Sequence, residues 1–454
     1  MAIVQEDIRH LLARTGFGVP TATEIEAFNG LSYAQAVTRV LDGTRAKATN
    51  PAPGWLNSIP VTVPNTMNAA DRKVRDKQLA DNGREMKAWW YDEMLATPSP
   101  FTERMVLFWH NHFTSSMQKV KYPDLMFRQN ELYRSQATGN FATLLKAVIK
   151  DPAMMIYLDT NQNRGIAPNE NFARELLELF TLGEGHGYTE KDIREAARAF
   201  SGWRYKNDVG FDIDWPNHDI ARKTFLGRTQ FMNGDDVVLI LLEEPRLAEF
   251  ITEKLWREFI SDKPDAALVA KWAEVFRTSK YELKPMLQEL FLSDAFRDPD
   301  GRGALVKSPT DIVVGTLRLV SQRPRDTKTV VNVGRTLGQE LFDPPNVKGW
   351  PGGMAWIDTA RLPERYAFLN AIAGAAATTQ QTITKAKIQL NAQQSSGAKQ
   401  YVFADADPGG LKTLSSLKEA ELAALILPLP PSVSGGGPAG PLASLLLDPS
   451  FQLK

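Results

Sequence analysis

Cysteine is absent from all 454 residues, which excludes disulfides, thiolate nucleophiles, iron–sulfur clusters and cysteine zinc sites together. The absence fits a reducing cytoplasm and an exported protein equally. Net charge is absent too: 53 basic residues balance 53 acidic ones, so the chain lacks the broad positive field that non-specific nucleic-acid binding needs. A DNA or RNA partner is not expected. No run reaches about 18 uninterrupted apolar residues, so no membrane span is expected. The opening MAIVQEDIRHLLARTGFG lacks the basic region, apolar run and small-residue cleavage site of a secretory leader. A periplasmic or secreted setting is expected if a leader has been trimmed, and a cytoplasmic one if the chain is complete as given. Also missing are a Walker loop, a dinucleotide-binding glycine fingerprint, a Gly-X-Ser-X-Gly elbow and a His-Glu-X-X-His zinc motif.

What is present is mostly helical periodicity. Length alone suggests two or three domains. The pattern, which has no fixed-period repeat, instead reads as a mainly α fold: a single large elaborated helical domain with a small β-hairpin insertion. Residues 5–43 show two helical patterns separated by Gly16–Pro20, with Thr21 or Thr23 placed to cap the second. The four prolines of 51–65 predict an extended surface connection, or equally a lid. Long charged helices follow over 70–118, broken near Pro98-Ser99-Pro100. A shorter one covers 141–149.

Thr189 and Asp192 form a capping-box pattern ahead of Ile193, Ala196, Ala197 and Phe200 at helical spacing. Alternation at Val209, Phe211, Ile213 and Trp215, a turn at 216–219 and the run 223–227 predict one hairpin with His218 at its tip. Helical spacing returns over 235–259, 266–276, 283–291 and 310–320. Residues 1–370 thus read as a helical core with the hairpin near 204–227. Residues 371–454 read as an Ala/Gln/Pro/Gly-rich segment closing on the core by a short helix near 442–447, with a flexible SVSGGGPAG at 432–440.

The densest polar stretch is DTNQNRGIAPNENFARELLELFTL, residues 159–182. Asp159, Asn161, Asn163 and Glu170 stand at positions one, three, five and twelve of a possible calcium loop. Arg164 occupies the position where such a loop requires glycine, and an Asx-rich turn in which Asn169 caps the helix is the alternative. The following helix places Phe172, Ala173, Leu176, Leu177, Leu179 and Phe180 on one face, with Glu170, Arg174 and Glu178 on the other. Glu175 falls at the apolar border, where a carboxylate acts as a general acid or base with a raised pKa, or as a structural clamp paired with an arginine.

Three further signals accompany it. Trp109-His110-Asn111-His112 holds two of only five histidines. The pair could clasp a transition metal if the helix ended near Trp109; on a helix the rings diverge by about 200° and serve a polar pocket or packing instead. His218, beside Asp219 and near Lys223, could join them from the hairpin tip. The loop FDPPNVKGWPGG, residues 342–353, offers Asn, Lys and Trp in a rigid frame suited to sugar or phosphate recognition, or to plain packing.

The ordered blocks RHLLARTGFG, ERMVLFWHNHFTSS, DPAMMIYLD, PNENFARELLELFTLG, YTEKDIREAARAFSGW, HDIARKTFLG, GALVKSPTDIVVGTLR and FDPPNVKGWPGG, running from about residue 8 to LLLDPSFQ, resemble the bacterial family called domain of unknown function 1800. The resemblance implies no reaction. It implies an extracytoplasmic setting and gene neighbours of a sulfatase-like family.

The residues together set one expectation: a single polar pocket. Glu175, Glu178, His110 and Arg174 would be catalytic, Asn111, Asn169, Asn171, Trp203, His218, Lys348 and Trp350 would bind substrate, and Asp159, Asn161, Asn163, Glu170 and His112 would hold a divalent cation, calcium or a transition metal. The expected activity is hydrolase-like, on a carbohydrate or anionic ester. The alternative is a non-catalytic binding or assembly protein serving a sulfatase-like partner.

Overall fold

A computed structural model describes residues 2–59, 67–206, 210–321, 324, 326–381, 414, 417–432 and 440–454. The fold is mainly α, with two small antiparallel two-stranded sheets. Its centre is the helix Pro100–His112, which starts with proline at its first position, where the missing N–H is not needed. Eleven of its thirteen residues are buried, so it has no solvent face. It packs against Ala2–Thr15, Ala69–Ala96 and Pro123–Ser135. Trp89, Trp90, Tyr91 and Met94 form the inner side of Ala69–Ala96.

A helix surrounded by protein would normally be apolar, yet this one carries Glu103 and Arg104 side by side. Each has distant partners. Glu103 accepts from Arg134 Nε at 2.6 Å and Nη2 at 2.8 Å, and from the Trp90 indole at 2.8 Å. Arg134 also bonds Asn130 and Glu131. Arg104 turns the other way, toward the Gly16 carbonyl, Glu258 and Asp311. Arg14 closes the end of Pro245–Phe259 by donating to the Phe259 and Ile260 carbonyls, each at 3.1 Å, where a helix leaves acceptors unpaired.

Several local expectations hold. Thr21 caps Ala22–Glu26 in a capping box with Glu24, and Thr189 caps Glu190–Ala199 with Asp192. Ile193, Ala196, Ala197 and Phe200 are all buried.

Others are corrected. The 235–259 pattern is two helices, Gly234–Glu243 and Pro245–Phe259, because Pro245 lacks the N–H that would continue the first. The PNENFARE helix is α only over Asn171–Glu175. Leu176–Thr181 is a π turn, in which Thr181 Oγ1 donates to the Leu176 carbonyl at 2.6 Å and Leu179 is only partly buried. A second π turn spans Asp311–Gly315.

The β region is two hairpins rather than one. β1 (Trp203–Lys206) pairs with β2 (Gly210–Ile213), and β3 (Arg222–Phe225) pairs with β4 (Arg228–Phe231). Leu226 and Gly227 both have positive φ, which makes them a two-residue hairpin turn instead of the end of a strand. His218 therefore lies in the connection between hairpins, just after the 3-10 turn Trp215–Asn217. Val209 lies outside the described residues, as do 60–66 of the proline-rich connection, most of the Ala/Gln/Thr/Ser-rich stretch and 433–439 of the glycine-rich one.

The described C-terminal part consists of Arg361–Gln381, Glu419–Ile426 and Pro441–Leu446, which contact one another, and a final bridge between Val306 and Leu453. Beside that bridge Arg365 is fully buried, donating to Gln452 Oε1 at 2.7 Å and the Lys307 carbonyl at 2.6 Å. Lys307 Nζ has no hydrogen-bond partner among the described residues and sits 3.7 Å from the centre of the Phe451 ring. Burial, and then Arg9, Arg365 and Lys454, push its pKa well below the ordinary 10.5.

Two measurements follow from these buried charges. Arg134→Met leaves Glu103 unpaired in the core and is expected to lower stability in urea unfolding by about 3–5 kcal/mol, with a smaller loss once Glu103→Leu is added. For Lys307, the unfolded chain binds a proton that the fold resists. Its penalty is therefore absent above pH 10.5 and grows as pH falls toward the depressed folded value. Lys307→Met is expected to raise Tm at neutral pH by at least about 2 °C, with the gain shrinking as pH approaches 10.5.

Candidate functional site

Four residues of the central helix, Arg104, Leu107, Phe108 and Asn111, fall at i, i+3, i+4 and i+7 and so form one stripe. That stripe is the floor of a cleft of about 120 Å³, room for on the order of ten water molecules. Arg257 and Glu258, from the end of Pro245–Phe259, line one side. Ser308, Asp311 and Gln339 line another, and Trp350, Trp356 and Lys454 complete the wall.

The charges at the floor are interlocked. Arg104 Nη2 reaches Asp311 Oδ1 and the Gly16 carbonyl, and Nη1 lies 3.4 Å from Glu258. The second oxygen of Asp311 accepts from Ser308 N at 2.9 Å and Ser308 Oγ at 3.0 Å, and pairs with Lys454 Nζ at 2.9 Å. Asp311 is aimed by the π turn it begins, a helix defect that recurs at functional sites. Gly315 ends that turn against the Phe17 carbonyl, where a Cβ would collide. Burial pushes Lys454 well below its usual pKa, with Arg104 and Arg14 adding to the effect, so its ammonium proton is held less firmly than that of a solvated lysine. The charged side chains that line the cleft are Arg104, Arg257, Lys454, Glu258 and Asp311.

Two amides add donors. Asn111 Oδ1 accepts from Trp350 N at 2.7 Å, and Gly349, with φ +82°, lies so close to Asn111 that no side chain fits. Gln339 Oε1 accepts from Thr310 N at 3.0 Å and Thr310 Oγ1 at 2.8 Å. Each amide has its oxygen engaged and its NH₂ without an acceptor among the described residues.

Of the residues singled out in the sequence, only Asn111 and Trp350 line this cleft. The helix runs through His112, so the two histidine rings part. His110 lies among Trp90, Phe342 and Trp350, with its pKa pushed by burial down to about 3. His112 bonds the Phe180 carbonyl at 3.1 Å and packs near Phe250. The shared transition-metal clasp is thereby removed.

The calcium-loop oxygens are also engaged. Asp159 pairs with Lys119 at 2.7 Å, and Asn161 Oδ1 accepts from Tyr205 N at 3.0 Å. Asn163 Oδ1 accepts from Asn169 N at 2.9 Å, and Glu170 pairs with Arg174 at 3.1 Å. Among the described residues no three His, Asp or Glu side chains converge as a metal shell requires. The donor set does not fit the expected cation.

The remaining candidates fasten the fold. Asn169 Oδ1 accepts from Asn171 N at 3.0 Å, which makes the Asx turn, but Asn169 does not cap the helix, whose N-cap position is Glu170 with no side-chain cap; Asn171 Nδ2 donates to the Leu158 carbonyl at 3.2 Å. Trp203 is fully buried between Phe200 and Phe211, and His218 Nδ1 lies 2.7 Å from the Ser201 carbonyl. Arg174 is shared among Glu170, Glu178 and Glu190, and Lys348 pairs with Glu184 in solvent. Glu175 is half-buried with no ion pair among the described residues, so no arginine clamps it there; burial and then Glu178 raise its pKa, yet it does not line the cleft.

Sequence reasoning passed over Arg104, Asp311, Gln339, Glu258 and Lys454. One signal was available, the charged pair Glu103-Arg104 inside the apolar run FTERMVLFWH; Lys454 gave none. Comparison with curated proteins and with solved structures yields no match. The family described as protein of unknown function (DUF1800) matches residues 10–453, nearly the whole chain, and the protein belongs to it.

Proposed function

We propose that the cleft over Arg104 binds a small oxygen-rich anion of the carbohydrate or anionic-ester kind, and that Lys454, held by Asp311, exchanges a proton with it. The carrying observation is the combination of two amide groups, Asn111 and Gln339, whose NH₂ has no acceptor among the described residues, with the guanidinium groups of Arg104 and Arg257 in a cleft also lined by Trp350 and Trp356. Donors held without acceptors in a partly buried site favour a ligand that supplies oxygens, and an indole face suits a sugar ring. A lysine whose proton is weakened by burial beside a carboxylate is the pairing that general acid–base hydrolysis uses. This hydrolase-like reading requires no metal ion.

A non-catalytic binding role, with a sulfatase-like protein as partner, is the second reading. The saturation of Asp311 by Arg104, Ser308 and Lys454 favours it, because no oxygen of that carboxylate is left free.

Thermal-shift titration separates these readings from a purely structural network. Glucuronate is expected to raise Tm, glucose much less, and Arg257→Ala is expected to weaken glucuronate about tenfold, as loss of one charge-assisted contact of roughly 1.4 kcal/mol would. Equal responses in the wild type and Arg257→Ala, or none to glucuronate, phosphate or sulfate, sink the binding site. Turnover of p-nitrophenyl sulfate or phosphate that disappears in Lys454→Met while glucuronate still binds supports hydrolysis; no turnover in the wild type leaves the binding role.

A further inference from the structure

Away from the cleft, three large apolar side chains stand in solvent at one place. Ile166 is 95% exposed, Trp215 60% and Ile220 72%. Backbone contacts hold them together. Gly165 N donates to the Asn217 carbonyl at 2.8 Å, and a Cβ at Gly165 would come within 3.0 Å of Asp219 N, so the turn bearing Ile166 abuts the segment bearing Trp215 and Ile220. Ile166 occupies the tip of a tight turn closed by an Arg164–Ala167 bridge, a position that turn chemistry assigns to Gly, Asn or Asp. An aliphatic side chain there contributes nothing to the fold.

The backing is firm. Trp215 packs edge-on to His218 at 5.4 Å, His218 is fixed to the Ser201 carbonyl, and Asp219 is held by Arg198 at 2.7 Å. Local acids are neutralised from within: Asp214 and Asp212 pair with Arg204, and Asp219 with Arg198. The charge left facing outward is positive. Arg164, at the base of the turn, is exposed with no ion pair among the described residues, and Arg222, two residues beyond Ile220, lies over the Phe231 ring, itself 69% exposed.

We propose that this patch is a docking surface for an anionic lipid bilayer, with Ile166, Trp215 and Ile220 entering the headgroup region and Arg164 and Arg222 meeting lipid phosphates. Exposure of more than half of each side chain leaves apolar surface in solvent, most of all at Ile166; exposed apolar tips enter a fluid interface without needing matched pockets, and tryptophan favours that interface. Arg164, next but one to Ile166, and Arg222, which is also held to the Thr229 carbonyl at 2.8 Å, are exposed cations that complement negatively charged lipid. Among the described residues no helix is long and apolar enough to cross a membrane, and the contact proposed here is made by side chains at the surface.

Flotation of the full chain with vesicles tests it. Binding is expected to vesicles of equal parts phosphatidylcholine and phosphatidylglycerol, and to be weaker with phosphatidylcholine alone. The double variant Ile166→Ser, Ile220→Ser is expected to lose about tenfold or more in binding with Tm unchanged, since neither side chain is buried. Arg164→Glu is expected to erase the preference for the anionic vesicles. Failure of the wild type to float with either vesicle, or equal flotation of the double variant, overturns the proposal. Self-association of the wild type that the double variant abolishes, without vesicle binding, assigns the patch to a second copy of the chain and equally overturns it.

Discussion

Burying two opposite charges side by side on a helix that has no solvent face is the constraint from which the interior of this protein follows. Glu103 and Arg104 cannot be satisfied by each other, because neighbouring positions on a helix project about 100° apart. Each must recruit partners from elsewhere, and an unpaired charge in such a place would cost several kcal/mol. Glu103 draws in Arg134 and the Trp90 indole, which locks the helices before and after it. Arg104 draws in the Gly16 carbonyl, Glu258 and Asp311. One dipeptide thus ties together the N-terminal turn, the middle of the chain and the segment at 308–315.

The cleft is a by-product of the Arg104 half of that arrangement. Ionic partners hold backbones at the separation set by their side chains, so the helices around Arg104 do not close as tightly as an apolar seam would. What remains is a concave space with charged groups at its base and tryptophans at its rim. Lys454 reaches the same carboxylate through the bridge between Val306 and Leu453, which brings the last described residues to the centre of the molecule.

A different economy governs the polar stretch 159–171. Its amides are fasteners: Asn161 and Asn163 tie the loop to the first hairpin and to the helix Glu190–Ala199, and Asn169 and Asn171 start the next helix. Carboxamides suit this work because each supplies a donor and an acceptor on one short side chain. The same composition that resembles a ligand shell is what an irregular turn needs in order to pair its main chain.

Local chemistry was readable before any coordinates. The mainly α class, the capping boxes at Thr21 and Thr189 and the inward face of Glu190–Ala199 follow from neighbours within four residues, and periodicity reports those directly. Where a competing local rule intervened, the reading shifted: Pro245 divided a helix, and Leu226-Gly227 turned a strand end into a second hairpin. The cleft was legible only in Asn111 and Trp350. Whether Asp311, Gln339 and Lys454 stand beside Arg104 depends on contacts spanning hundreds of residues, and no spacing in the chain encodes them. Sequence by itself determined which segments become helices and that they carry charges the core must pair; tertiary packing alone decided which charges meet, because that pairing minimises the cost of removing them from water over the whole fold at once.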